Sequence, residues 1–319
     1  MILHESLADF KELIELTGQY FELDNSIIEK DYWVTKALHN LSKSDYVGVA
    51  IFKGGTSLTK CYKDLHRFSE DIDIAIETDE LNANQIKRRL KKVENAMKGD
   101  LEEVNAPGFT EKRGIVRRTQ QNYESCLNRE PGLAELHPHI RFEIVGFTEP
   151  TPVDICDTKS LIYDYLSSNG LDEVIDDFGL GMFKLNVLRI DRTILEKMAS
   201  LIRMSYLTGW DELSRKTRHL YDIYLTYDLL EDFYNDSTRL KEMVEIVKRA
   251  EKGYNFSDQY PSDAKWMDSP LLEALESENI KEGYELSFGK EFVFGELPPY
   301  EDVRQFFNSL FEILKHNNL

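Results

Sequence analysis

The stretch FKGGTSLTKCYKDLHRFSEDIDIAI, residues 52–76, decides the fold of this chain. Its end continues into IDIAIE at 72–77, where apolar residues alternate strictly with others, and this pattern predicts a strand with one buried face. Its beginning completes the apolar run VGVAIFKGG, which predicts a strand over 47–53 that ends in a glycine turn. A short helix is predicted over 57–63. The stretch is therefore predicted to form strand, turn, helix and strand.

Two aspartates stand at the start of the second predicted strand. Asp71 and Asp73 are two residues apart, so on a strand their side chains share one face. Paired carboxylates repel each other unless a cation lies between them. Mg²⁺ suits such a pair, because it prefers oxygen ligands and keeps coordination sites for the phosphates of a substrate. The pair therefore predicts a magnesium site.

The glycines before the helix predict a site for phosphate. Gly54 and Gly55 let backbone N–H groups approach a phosphate closely, and the N-terminus of the following helix attracts negative charge. Thr56 and Ser57 add hydroxyl donors, and Lys60 adds a positive charge. A phosphate cradle beside a metal-binding pair of aspartates is what nucleotidyl transfer from a nucleoside triphosphate requires.

A third carboxylate is expected on a neighbouring strand, because two-metal nucleotidyl transfer generally uses one. The segment HIRFEIVGF, residues 139–147, alternates, and Glu143 in it faces away from the core, as Arg141 does. Glu143 is the first candidate for this third metal ligand, with a surface pair between Glu143 and Arg141 as the alternative and Asp154 as the rival ligand. Arg67 could either clamp a triphosphate or neutralise the acidic residues that follow it.

The rest of the chain reads as two domains. Helical periodicity recurs in the first hundred residues over three segments, 6–18, 26–41 and 82–98. Strands are predicted between residues 107 and 147, and helices dominate after about residue 158. The sequence thus predicts an α+β fold, with a mixed sheet flanked by helices in a catalytic domain over 1–157 and a mainly helical domain over 158–319.

The charge of the chain limits its partners. Its 319 residues carry 58 acidic and 39 basic side chains, for a net charge of −19. Such an acidic chain is not expected to coat nucleic acid indiscriminately. Residues 87–118, however, hold ten basic and five acidic side chains. This basic segment in an acidic protein predicts selective, salt-sensitive binding of RNA.

The cellular location of the protein is also predicted from its apolar segments and its cysteines. No segment approaches about 18 consecutive apolar residues, so no membrane partner is expected. The three cysteines, Cys61, Cys126 and Cys156, lie far apart and show no disulfide spacing. Their arrangement favours the reducing environment of the cytoplasm.

Taken together, GGTSLTK followed by RFSEDIDI resembles the AbiEii/AbiGii toxin family of nucleotidyltransferases, within the DNA polymerase β-like superfamily. Three further segments support the resemblance, EKDYWVTKAL at 29–38, RTILEKMASL at 192–201 and RHLYDIY at 218–224. The resemblance covers about residues 25–230, or two thirds of the chain. It implies a nucleotidyltransferase fold and the Mg²⁺-dependent transfer of a nucleoside monophosphate from an NTP to an acceptor hydroxyl. It also implies a bacterial toxin that acts on the 3′ end of tRNA and has a cognate antitoxin protein.

The resemblance also assigns residues outside the first motif. It implies that Lys197 and Asp222 of the helical domain belong to the active-site cleft, whereas the pattern alone favours a surface lysine and a helix salt bridge between Arg218 and Asp222. His219 stands where some members of the family carry aspartate. In the EKDYW segment, Lys30 and Asp31 could stabilise the site from the N-terminal helix.

Two other functions stay open on the sequence alone. A nucleotidyltransferase of this type could modify a protein or a small molecule, and such an acceptor would not require a basic groove. The chain could instead be a nucleotide-binding regulator without turnover, although the intact Asp71 and Asp73 pair argues against this.

Overall fold

The computed structural model of the chain describes residues 1–62, 65–127, 138–147, 149–252, 261, 264–289 and 293–319. The chain divides into two compact units. The first comprises Met1–Tyr62 and Phe68–Leu188, and the second comprises Lys63–Arg67 and Arg189–Leu319. The short segment before Phe68 belongs to the second unit because Arg67 forms an antiparallel bridge with Val293.

One mixed sheet lies at the centre of the first unit. Within the described residues its eight strands are β1 (Ala50–Lys53), β2 (Ile72–Glu77), β3 (Glu102–Val104), β4 (Glu111–Arg113), β5 (Val116–Asn122), β6 (His139–Phe147), β7 (Val153–Thr158) and β8 (Phe183–Leu188). The strand order is β3-β5-β6-β2-β1-β8-β7, with β4 paired to β5. The pairs β1–β8 and β2–β6 are parallel and the others are antiparallel. The predicted mixed sheet is thus confirmed.

Helices cover one face of this sheet. They are α1 (Leu7–Phe21), α2 (Asn25–Ser42), α3 (Gly54–Cys61), α4 (Ala83–Lys98), α5 (Leu161–Ser168) and α6 (Asp172–Asp177). Alternate strand residues such as Phe52, Ile74 and Phe142 join the apolar side chains of these helices in one buried core. Because side chains alternate along a strand, the intervening residues face the opposite side of the sheet. That opposite face carries the candidate site.

Two helix starts differ from the predictions. The spacing of Ser26 and Glu29 predicts a capping box, but α2 begins one residue earlier and Asp24 is its N-cap, accepting from the Ser26 N–H. The glycines predicted to form a turn before a helix are instead the first residues of α3. The N–H groups of a first helical turn lack helical partners, and phosphate binding by these glycines stays a prediction.

The first unit extends further than the predicted domain boundary. The prediction ends the first domain at residue 157, whereas the first compact unit runs to Leu188. The difference arises from β8, which lies between β1 and β7 in the sheet. Its alternate residues Phe183, Leu185 and Val187 are buried in the core, so the strand cannot be separated from the first unit.

The second unit is helical, as predicted. Its helices are α7 (Ile190–Ser205), α8 (Asp211–Ser214), α9 (Thr217–Leu225), α10 (Glu231–Asn235), α11 (Ser237–Lys252), α12 (Leu271–Ala274), α13 (Glu278–Glu282) and α14 (Tyr300–Asn317). A π-helical segment, Gly283–Phe288, follows α13 directly. Helix α7 packs against α9 and α11. None of the helices in the described ranges combines the length and apolar character that crossing a membrane requires.

The expectation of unpaired cysteines is wrong for two of the three. Cys61 at the end of α3 and Cys156 on β7 form a disulfide, with 5.8 Å between their Cα atoms. The two residues are 95 positions apart in the sequence, but α3 packs against β7. Cys126 is free and buried.

Candidate active site

Charged side chains form one row across the face of the sheet that helices α1 to α6 leave uncovered, referred to below as the open face. The strand register places five residues directly beside one another, in the order Lys53, Asp73, Glu143, Arg118 and Glu111. Directly paired residues on adjacent strands have Cβ atoms about 5 Å apart. The row therefore brings two carboxylates side by side and flanks them with a lysine and an arginine.

The central pair fits a divalent cation. Asp73 and Glu143 lie on the parallel strands β2 and β6, which are about 4.8 Å apart. Among the residues described, no group of three His, Cys, Asp or Glu side chains is arranged to hold a metal ion, so Asp71, Asp73 and Glu143 do not form a preformed cage. Mg²⁺ needs no such cage, because it is usually held by one or two carboxylates together with waters and the phosphates of a substrate.

The register places only one of the two candidates for the third carboxylate beside Asp73. Glu143 is the direct neighbour of Asp73. Asp154 is exposed on β7, and β1 and β8 lie between that strand and β2. Glu143 bonds to Arg118, whose Nε lies 3.2 Å from its Oε2, and not to Arg141 as the surface-pair alternative supposed. The carboxylate beside Asp73 is thus Glu143.

Gly54 lies against the carboxylate of Asp73. A Cβ built on Gly54 would overlap the Asp73 carboxylate, and the residue has a φ of +78°. Both the space and the backbone conformation therefore require glycine at this position. This close approach joins the start of α3 to the carboxylate row, as the sequence motif predicted.

The hydroxyls predicted to bind phosphate are engaged within the protein. Thr56 Oγ1 donates to the Asp71 carbonyl and lies 2.9 Å from Ser69 Oγ. Ser57 Oγ donates to the Gly54 carbonyl at 2.9 Å. The bonds of Thr56 fix α3 to the segment that enters β2, whereas the bond of Ser57 lies within α3. Contacts of Thr56 and Ser57 with phosphate stay predictions.

Two of the three charged residues of the EKDYW segment, Lys30 and Asp31, hold both ends of the connection between α3 and β2. Asp31 pairs with Lys60, whose Nζ also donates to Thr35 Oγ1 at 2.8 Å. Lys30 is fully buried and pairs with Glu70. Burial lowers the pKa of Lys30, although Glu70 opposes this effect. Lys30 and Asp31 thus position the connection, and phosphate binding by Lys60 stays a prediction.

The sequence of this chain matches the model of a known protein family. The model of the family described as "Nucleotidyl transferase AbiEii toxin, Type IV TA system" matches residues 36–309. The chain belongs to the AbiEii family. The resemblance drawn from the GGTSLTK and RFSEDIDI motifs and the prediction of a nucleotidyltransferase are thereby confirmed. A type IV toxin–antitoxin system implies an antitoxin partner and an NTP substrate for this AbiEii protein.

Solved structures extend the comparison to the fold. The chain is similar to "MenT4, nucleotidyltransferase toxin Rv2826c from Mycobacterium tuberculosis H37Rv", at 16% sequence identity and a TM-score of 0.55. The match covers 95% of this chain and 89% of that one. At this identity it shows a shared fold. No curated protein matches the sequence.

A buried ion cluster lies in the second unit of the AbiEii chain. Asp222 on α9 accepts from Arg67 Nε at 2.6 Å and from Arg67 Nη2 at 2.8 Å. Lys197 Nζ on α7 lies 2.9 Å from Asp222 Oδ2, and all three side chains are buried. Burial raises the pKa of Asp222, but Arg67 and Lys197 outweigh it and hold that pKa below its usual value.

This cluster corrects one interpretation of the sequence and shows a partner of Arg67. Arg67 pairs with Asp222, and a part for it in clamping the triphosphate or in neutralising the acidic residues that follow it stays a prediction. Arg218 is exposed, and Asp222 pairs with Arg67 and Lys197 instead of with Arg218. His219 is kept neutral at pH 7, because burial and then Lys197 lower its pKa well below the usual value. A catalytic part for Lys197 and Asp222 stays a prediction.

The basic segment 87–118 divides into buried and exposed charges. Arg117 and Arg118 are neighbours on β5 and face opposite sides of the sheet. Arg117 is buried and pairs with the buried Glu94 of α4, to which Thr119 Oγ1 also donates at 2.6 Å. The Arg118 side chain is 40% exposed. Arg117 is therefore a structural residue and not part of a basic surface.

This division predicts unequal effects on stability. Arg117→Ala is expected to lower the free energy of unfolding by about 3–5 kcal/mol, because Glu94 is left buried without its counter-ion. Arg118→Ala, which removes two partly exposed ion pairs with Glu111 and Glu143, is expected to lower it by about 1 kcal/mol or less. Urea denaturation of the two variants would measure the difference, and equal losses would contradict the assignment.

Proposed function

We propose that this AbiEii toxin transfers a nucleoside monophosphate from an NTP to a hydroxyl at the 3′ end of tRNA, with Mg²⁺ as cofactor. The acceptor oxygen forms a bond to the α-phosphorus, the bond from that phosphorus to the bridging oxygen breaks, and pyrophosphate leaves. The observation that carries the proposal is the pair of carboxylates, Asp73 and Glu143, directly beside the glycine start of α3.

Each part of the site has a role in this reaction. Asp73 and Glu143, with Asp71 beside them, would hold Mg²⁺, which neutralises charge on the phosphate oxygens. The N–H groups of Gly54 and Gly55 at the start of α3, which have no partner within the helix, would bind the β- and γ-phosphates. Fixing the triphosphate against an acceptor supplies most of the rate enhancement in phosphoryl-type transfers, where positioning and charge stabilisation dominate.

Binding of RNA to this protein is supported by the exposed face of α4, a helix that covers the side of the sheet opposite the carboxylates. Four basic residues of this helix are exposed, namely Lys87, Arg88, Lys91 and Lys92. The acidic residue of α4, Glu94, is buried against Arg117, so it does not offset them. A uniformly basic helix face suits a phosphate backbone. A tRNA substrate also agrees with a cytoplasmic location.

The proposal is tested by incubating the protein with Mg²⁺, total tRNA and each labelled NTP in turn. Label is expected on RNA, and chelation of the metal with EDTA should abolish it. Asp73→Asn should also abolish labelling, whereas Asp154→Asn, at the far edge of the same sheet, should retain it. Labelled protein with unlabelled RNA would indicate a protein acceptor, and NTP binding without any labelled product would indicate a regulator; either result would overturn the proposal.

A further inference from the structure

The row of charged residues supplies carboxylates for the metal, but it does not identify the side chain that binds the phosphate groups of the NTP. The basic residues predicted for this task are occupied, since Lys60 pairs with Asp31 and Arg67 pairs with Asp222. Arg118 bonds to Glu143. A further cation on the open face of the sheet has not been assigned a part so far.

We propose that Arg141 binds the phosphate groups of the incoming NTP. The inference rests on the proposed function, and it names a substrate-binding residue that the sequence motifs did not single out. Arg141 lies on β6 two residues before Glu143, so both side chains share the open face of the sheet. The register pairs Ile72 with Phe142, which places Arg141 beside Asp71. Arg141 therefore lies beside Asp71 on the neighbouring strand and near Glu143 on its own strand.

The guanidinium of Arg141 is held in place by an aromatic ring. It stacks on the ring of Phe109, with 4.9 Å between its Cζ and the ring centroid. Its Nε is shielded from solvent and has no hydrogen-bond partner among the described residues. A buried donor without an acceptor is unfavourable. An anion that reaches this atom would remove the penalty.

The chemistry of the guanidinium favours a phosphate group as the anion. Phosphate suits an arginine at such a position, because the planar fork of the guanidinium matches two phosphate oxygens. This argument concerns phosphate groups alone, so Arg141 should act on all four NTPs alike.

The inference is tested by binding with Ca²⁺ in place of Mg²⁺, which separates binding from turnover. Isothermal titration would measure Kd for each of the four NTPs, the matching NMPs and inorganic tripolyphosphate. Arg141→Gln is expected to raise Kd for NTPs and tripolyphosphate about 10- to 100-fold, the loss of a charge-assisted hydrogen bond. Kd for NMPs should change less, and Arg141→Lys should restore part of the affinity.

The matched control is Arg113→Gln, which removes an exposed arginine of the same sheet and should leave every Kd unchanged. The midpoint of thermal unfolding, measured for each variant, would test whether the fold is kept. Equal affinity of wild type and Arg141→Gln for tripolyphosphate would overturn the inference, as would a wild type that binds neither NTP nor tripolyphosphate. Arginine-dependent binding of tripolyphosphate without nucleotidyl transfer would instead overturn the proposed function alone.

Discussion

Replacing Gly54 with alanine is expected to lower kcat/KM for nucleotidyl transfer by at least about 100-fold, the effect of displacing a reacting group by about 1 Å. The new Cβ would occupy the position of the Asp73 carboxylate, so the carboxylate must move away from Glu143. The backbone would resist as well, because a φ of +78° is unfavourable for alanine by about 1–2 kcal/mol. The loss of activity should therefore accompany only a modest loss of stability.

The matched control is Gly48→Ala. Nothing lies within 4 Å of a Cβ built on Gly48, so activity and stability should both stay close to those of wild type. Steady-state labelling of the acceptor would measure activity, and urea denaturation would measure stability. Unchanged transfer by the Gly54→Ala variant would show that Asp73 can leave its observed position without consequence, and it would argue against Asp73 as a metal ligand.

The sequence was sufficient to predict the centre of the site because its signals there are local. Strict alternation over 72–77 places Asp71 and Asp73 on one strand face, and the glycines mark the start of α3. Which carboxylate completes the pair depends on strand order, and that is a property of the whole chain. The sequence therefore leaves Glu143 and Asp154 open, whereas the parallel pairing of β2 with β6 places Glu143 beside Asp73.

The partners of long charged side chains could not be predicted, because they depend on contacts between distant segments. A charge count treats Arg117 and Arg118 alike, yet one is buried against Glu94 and the other is half-exposed beside Glu143. The pairing of Arg67 with Asp222 spans 155 residues. Strand β8 was not predicted for a related reason. It lies in the sheet between β1 and β7, which are distant from each other in the sequence.

Replacing Asp222 with asparagine is expected to lower the free energy of unfolding at pH 7 by about 3–5 kcal/mol, because removing one partner leaves buried charges uncompensated. Arg67 and Lys197 would both lose their counter-ion while still buried. Asp228→Asn is the matched control, because Asp228 is an exposed aspartate of the same unit. Its effect should stay within about 0.5 kcal/mol.

The effect of Asp222→Asn should depend on pH in a defined direction. Arg67 and Lys197 hold the pKa of Asp222 below its usual value against the effect of burial. Its carboxylate therefore contributes its full stabilisation above the unfolded pKa of about 3.9 and loses it as the pH falls toward the folded pKa. Urea midpoints measured from pH 7 down to pH 3 should thus converge for wild type and Asp222→Asn. A constant gap across that range would mean that Asp222 stabilises the fold by packing and neutral hydrogen bonds, and that its charge is not what holds Arg67 and Lys197 in place.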